Sequence, residues 1–154
     1  MIRRPRVQDV PAMVAIINAR AATGEILPRS LNHVYQNLRD FLLAECDGRV
    51  VACGAMHVLW ADLGEIRAVA ADPAAPAGSD SQVVRALLAE ARRIGLPRVF
   101  AFTYRPEFFL DLGFTQVERE SLPRIVWREC IDCVKFPACD ETAVCIDLSA
   151  ESCT

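Results

Sequence analysis

The sequence is poor in the features that mark a chain for export, for a membrane or for nucleic acid. It contains no apolar run near the roughly 20 residues that a membrane-spanning helix requires. The basic start, Met1-Ile2-Arg3-Arg4-Pro5-Arg6, has no apolar stretch behind it, so a secretory signal is not expected. Aromatic residues make up only 7% and the net charge is −3. With no Lys/Arg run interleaved with aromatics, a nucleic-acid partner is not expected either. The seven cysteines are an odd number, and no second CxxC accompanies Cys130 to Cys133. Reduced thiols or metal ligands are therefore expected rather than disulfides, and a cytoplasmic location with them. Repeats and low-complexity linkers are absent.

What the chain does have is apolar content. Over 154 residues, 53% are apolar and 24% charged, the balance of a single globular domain with its own core. Ile2 to Arg6 predicts a short strand. Asp9 offers an N-cap to a first helix with Val10, Met13, Val14 and Ile17 at helical spacing, ending near Thr23-Gly24. Ser30 opens a second helix, with Leu31, Val34, Leu38 and Phe41 on one face. Asp47-Gly48, between Phe41 to Cys46 and Val50 to Trp60, signals a tight hairpin. Leu63 to Ala71 reads as a strand. Ser81 to Ile94 reads as a third helix, with Val83, Val84, Leu87, Leu88, Ala91 and Ile94 along its buried stripe. Arg98 to Phe102 is a strand, Pro106 to Leu112 a short helix, and Gly113-Phe114 begins another strand. The order β–α–α–β–β–β–α–β–α–β predicts an α/β (α+β) fold, a mixed sheet flanked by helices. Residues 1–122 form the expected core, and 123–154 a cysteine-rich extension packed on it or trailing from it.

That order contains a strand ending in Asp72-Pro73, a Gly-containing loop, a helix, and an aromatic pair before Gly113-Phe114. In this it resembles the GNAT superfamily of N-acetyltransferases. Pro28-Arg29-Ser30-Leu31, Cys53-Gly54-Ala55, His57-Val58-Leu59-Trp60, Glu65-Ile66-Arg67, Pro106-Glu107-Phe108-Phe109 and the tail Cys130 to Glu141 are similar to the short, single-domain N-acetylglutamate synthases. The resemblance implies transfer of an acetyl group from acetyl-CoA to the α-amine of glutamate, the first step of arginine synthesis. It also implies that the Glu65 to Ala71 strand lies beside the thioester, with Ala68, Val69 and Ala70 as coenzyme contacts.

Acyl-CoA binding in that superfamily uses a glycine-rich loop whose N–H groups face a diphosphate at a helix start. Counting back from Gly95 aligns it with Ala75 to Ser81. Only Gly78 survives of the glycines, Pro76 has no N–H to donate, and the charge of Asp80 opposes a phosphate. Gly78, Ser79 and Ser81 remain as donors; alternatively Ser79, Asp80 and Ser81 simply cap a helix.

Period-2 alternation places Glu65, Arg67 and Val69 on one strand face. Arg67 is the candidate for gripping a substrate carboxylate, with Arg29 as a second, and Glu65 the candidate acceptor of the amine proton. The competing reading is a surface Glu–Arg pair of little consequence. Tyr35 and His57 read more readily as structural. Phe109 stands where many members of the superfamily carry a proton-donating tyrosine, which leaves Tyr104 or solvent to protonate the thiolate. Cys130, Cys133 and Cys139 have spacing compatible with zinc, with Asp140 or Cys145 as a fourth ligand; ordinary thiols are the alternative. Two functions are compatible with these residues. One is an acetyltransferase acting on glutamate or a similar amino acid, with a homodimer as one assembly. The other is a GNAT-like ligand-binding or sensor domain that no longer binds acetyl-CoA well.

Overall fold

The computed structural model describes residues 1–123 and 141–148. Its strands are β1 (Ile2–Arg3), β2 (Phe41–Cys46), β3 (Arg49–Trp60), β4 (Leu63–Ala71), β5 (Arg98–Thr103), β6 (Thr115–Val117) and β7 (Thr142–Asp147). Its α-helices are α1 (Val10–Ala21), α2 (Leu31–Gln36), α3 (Ser79–Ile94) and α4 (Pro106–Leu110). Asp47 and Gly48 take φ of 52° and 77°, the two positive values that a type I′ turn demands, and so join β2 to β3 as expected. The strands form one sheet in the order β1-β2-β3-β4-β5-β7-β6. Every neighbouring pair is antiparallel except β4 with β5.

Alternation along β2 divides the core between two faces. Phe41 and Leu43 pack with Val10, Met13, Ile17 and Val34, under α1 and α2. Leu42 and Ala44 pack with Val83, Val84, Leu87 and Leu88, under α3. A sheet covered on both faces must bury apolar side chains on both, which is why β2 reads as continuously hydrophobic.

Several expectations need correction. α2 stops at Gln36 and a 3-10 turn follows over Leu38–Asp40, so Phe41 starts a strand rather than closing a helical face. Leu31 is exposed. Asp9 precedes α1 but does not cap it, because its carboxylate is held by Arg3 and the Arg6 N–H. α3 begins two residues earlier than Ser81, and Ile94 is exposed at its end. Ser30 does cap α2, its Oγ accepting from the His33 N–H at 3.0 Å.

The largest surprise is β7. It inserts between β5 and β6, pairing with all six residues of β5 and all three of β6. The sheet core therefore does not stop at residue 122, since a strand from beyond it carries Val144 and Ile146 into the main cluster. Among the described residues, no helix is long and apolar enough to cross a membrane.

Candidate active site

β4 holds the feature on which the site depends. Cys53 pairs with Ala70 and Ala55 with Arg67, so Ala68 and Val69 together oppose the single residue Gly54. Two residues against one define a β-bulge, and Ala68 enters it with φ of 55°, a left-handed conformation that a non-glycine residue adopts at a cost of about 1–2 kcal/mol. The extra residue inverts the alternation. Ile66 and Val69 both face α3, whereas Ala68 and Ala70 face α1. The expectation that Val69 shares a face with Glu65 and Arg67 is thereby corrected: those two lie together, and Val69 points the other way.

Past Glu65, before the bulge is reached, β4 and β5 separate. Their parallel ladder consists of Gly64 with Val99 and Glu65 with Phe100, although both strands continue past these residues. A cleft of about 50 Å³ opens where they diverge, walled by Arg67, Ala68 and Val69 from β4 and by Phe102 and Thr103 from β5. Glu25 and Ile26, from the loop joining α1 to α2, and Arg105, just past β5, complete its lining. The cleft lies at the carboxyl ends of two parallel strands that part from one another, the usual place for a ligand in an open α/β sheet.

Glu65 and Arg67 form a buried pair. Arg67 Nε and Nη2 donate to the same Glu65 oxygen at 2.7 and 2.6 Å, and each side chain is 11% exposed. This removes the surface-pair reading, because screening by solvent does not apply to groups so covered. Arg67 lines the cleft and Glu65 does not. Arg29 is half-buried; its peptide is fixed by Asn18, whose side-chain oxygen accepts from the Arg29 N–H at 2.9 Å while its amide donates to the Arg29 carbonyl at 3.0 Å. Arg29 and Tyr104 are not among the residues lining the cleft, although Tyr104 falls between Thr103 and Arg105, which are. His57 Nδ1 lies 2.7 Å from Asp40 Oδ2, and Tyr35 is exposed.

The loop before α3 is satisfied largely by itself. Gly78, with φ of 84°, precedes the helix. Ser79 donates both its N–H, at 3.2 Å, and its hydroxyl, at 2.7 Å, to the Pro76 carbonyl. The Ser81 N–H donates to Asp80 Oδ1 at 2.9 Å. The segment's own carboxylate thus holds the Ser81 N–H.

Cys130, Cys133 and Cys139 lie outside the described residues. Cys145 is buried among Leu63, Phe100 and Leu122, and no cluster of three metal-ligating side chains occurs among the described residues. Sequence reasoning missed Glu25, Phe102, Thr103 and Arg105 as cleft residues. Arg105 carried a signal, as an arginine just past a strand that points its carboxyl end at the expected site.

A mixed sheet flanked by helices is the fold that this chain shares with solved N-acetyltransferases. The chain is 45% identical over 123 residues to an amino-acid acetyltransferase of Mycobacterium tuberculosis, covering 77% of this chain and 70% of that one. It is 32% identical to an uncharacterized N-acetyltransferase of Chlorobaculum tepidum over 93% of both chains. A Mycobacterium tuberculosis crystal structure in complex with CoA and NLQ superposes with a TM-score of 0.83 and 33% identity over 96% of this chain and 99% of that one. N-acetylglutamate synthase from Neisseria gonorrhoeae, complexed with coenzyme A and N-acetyl-glutamate, superposes with a TM-score of 0.85 and 26% identity. There this chain matches 35% of a longer protein. A comparison with protein-family models gives no match. The chain belongs to the GNAT family of N-acetyltransferases. Within it, the chain resembles the short amino-acid acetyltransferases.

Proposed function

We propose that the protein transfers the acetyl group of acetyl-CoA to the α-amine of glutamate or a closely similar amino acid. The observation that carries this reading is the buried Glu65–Arg67 pair, whose Arg67 lines the cleft beside Ala68 and Val69. An amine nucleophile has to lose a proton, and Glu65, bonded to the cleft-lining Arg67, is the carboxylate that accepts it. Arg67 gives the acceptor carboxylate a planar, charged partner, and Arg29 is the second candidate for a dicarboxylate substrate. Main-chain groups of Ala68, Val69 and Ala70, turned by the bulge, supply fixed dipoles beside the thioester carbonyl. Acetyl-CoA supplies the activated acyl group. Tyr104 or solvent returns the proton to the departing thiolate.

The reading fits the relatives solved with CoA, and a glutamate acceptor would place the reaction at the start of arginine synthesis, in the cytoplasm. Gel filtration decides between monomer and homodimer. The direct test is thiol release from acetyl-CoA across a panel of amino acids. Glutamate or a near neighbour is expected to be the best acceptor, and Arg67→Ala is expected to raise its Michaelis constant by at least about tenfold. An unchanged constant refutes the role of Arg67, and no melting shift with millimolar CoA refutes the donor.

A further inference from the structure

Arg105 ties together the three segments that meet at the cleft mouth. It follows β5, and its own N–H is fixed by Thr103 Oγ1 at 2.8 Å. Its guanidinium lies 4.7 Å from the centroid of the Phe108 ring, a cation–π arrangement that limits where the charge can go. From that platform Nη2 lies 3.7 Å from Asp80, in the first turn of α3, and Nε 3.9 Å from Glu25, in the loop after α1. Glu25 is shared, since Arg20 also donates to it at 3.1 Å.

Both contacts of Arg105 are longer than the 2.7–2.9 Å of a charge-assisted hydrogen bond, and its side chain is 32% exposed. Loose, partly solvated pairs of this kind are exchanged at little cost. The Asp80 carboxylate is, by contrast, a standing obstacle to any anion at this helix start, and Pro76 has removed one N–H from the loop. An arginine with a planar fork of donors, already resting on that carboxylate, is placed to serve two oxygens of neighbouring phosphates. The same exchange loosens the mouth, which now encloses about 50 Å³, room for a water or two.

We propose that Arg105 reads the diphosphate of the acyl donor, leaving Asp80 and Glu25 to pair with it and supplying the charge that the loop from Pro76 to Asp80 does not provide. The inference rests on the acetyl-CoA reading above and adds a donor-binding residue to it.

The test titrates CoA, dephospho-CoA and pantetheine against the full chain by calorimetry and melting shift. Dephospho-CoA keeps the diphosphate; pantetheine has none. Arg105→Gln is expected to weaken CoA and dephospho-CoA by about ten- to a hundredfold while leaving pantetheine within about twofold. Asp80→Asn is expected to tighten CoA by about tenfold, and the double variant to stay at least about tenfold weaker than Asp80→Asn alone. A double variant equal to Asp80→Asn overturns the proposal, because Arg105 would then only neutralise Asp80. Equal losses for CoA and pantetheine overturn it too, because Arg105 would then only shape the cleft. Arg105→Lys keeps the charge and guards against misfolding of the glutamine variant; it is expected to recover part of the CoA affinity and none of the fork geometry. A wild-type chain that binds neither CoA nor pantetheine sinks the donor reading itself, whereas normal wild-type binding unaffected by Arg105→Gln sinks this inference alone.

Discussion

Substitution at Ala68 separates the bulge from every other contribution of β4. Ala68 is buried against α1 at φ of 55°, where a left-handed backbone costs an L-residue about 1–2 kcal/mol. Glycine removes that strain, but gives up one methyl group worth about 0.8 kcal/mol and adds about 0.5–1 kcal/mol of unfolded-chain entropy. The terms nearly cancel, so Ala68→Gly is expected to fall within about 1 kcal/mol of the parent. Valine has the opposite balance. A β-branched residue at positive φ is a true outlier, and holding it there adds about 2–3 kcal/mol. With a urea slope of about 2 kcal/mol per molar, the unfolding midpoint drops by about 1–1.5 M. If the chain instead escapes by straightening the bulge, the main-chain groups beside the cleft turn away, and kcat is expected to fall by about a hundredfold. Urea denaturation of the two variants, followed by single-substrate kinetics, checks both. Ala68→Val with an unchanged midpoint and unchanged kcat would refute the reasoning, as would Ala68→Gly destabilised by more than about 2 kcal/mol.

Other outcomes follow from single contacts. A Cβ added at Gly54, opposite the bulge, would meet Val83 at 3.1 Å, Val69 at 3.2 Å and Leu87 at 3.4 Å. Gly54→Ala is therefore expected to lower stability by about 1–2 kcal/mol, measured by chemical denaturation, and to shift α3 against the bulge. Hydrogen bonds from Arg3, opposed by desolvation and assisted by the Arg6 N–H, hold the Asp9 carboxyl down at about 2. A carboxyl lowered in the folded state contributes stability above its unfolded value, near 4, and loses it as pH falls toward 2. About 2 kcal/mol should disappear over that window, and Asp9→Asn should flatten that acid limb in pH-dependent melts. Burial pushes the Cys53 thiol up to about 12, so a thiol reagent at pH 8 is expected to modify it only at the rate of unfolding, resolved by mass spectrometry of the labelled peptide. Ser30→Ala removes the cap of α2 and is expected to cost about 1 kcal/mol; a thermal melt reads it.

Much of the fold was written in local chemistry. Asp47-Gly48 dictated the hairpin because only two consecutive positive φ values suit its turn. The stripe from Val83 to Ala91 dictated α3 because its period matches the helix. The run from Leu63 to Ala71 put Glu65 and Arg67 on one strand, β4. Three things were decided only by the tertiary structure. A bulge obeys no sequence period, so nothing in Glu65 to Ala71 announced that Val69 would turn to α3; the mismatch with Gly54 across the sheet did. β7 lies beyond a stretch with no clear pattern, and its place between β5 and β6 depends on edges supplied by residues 26 to 49 positions away. Arg105, Asp80 and Glu25 belong to three separate segments, and a charge cluster built from such distant pieces exists only once the sheet brings those segments to the same end. Local propensity is a property of neighbours in the chain, whereas a binding site is a property of neighbours in space.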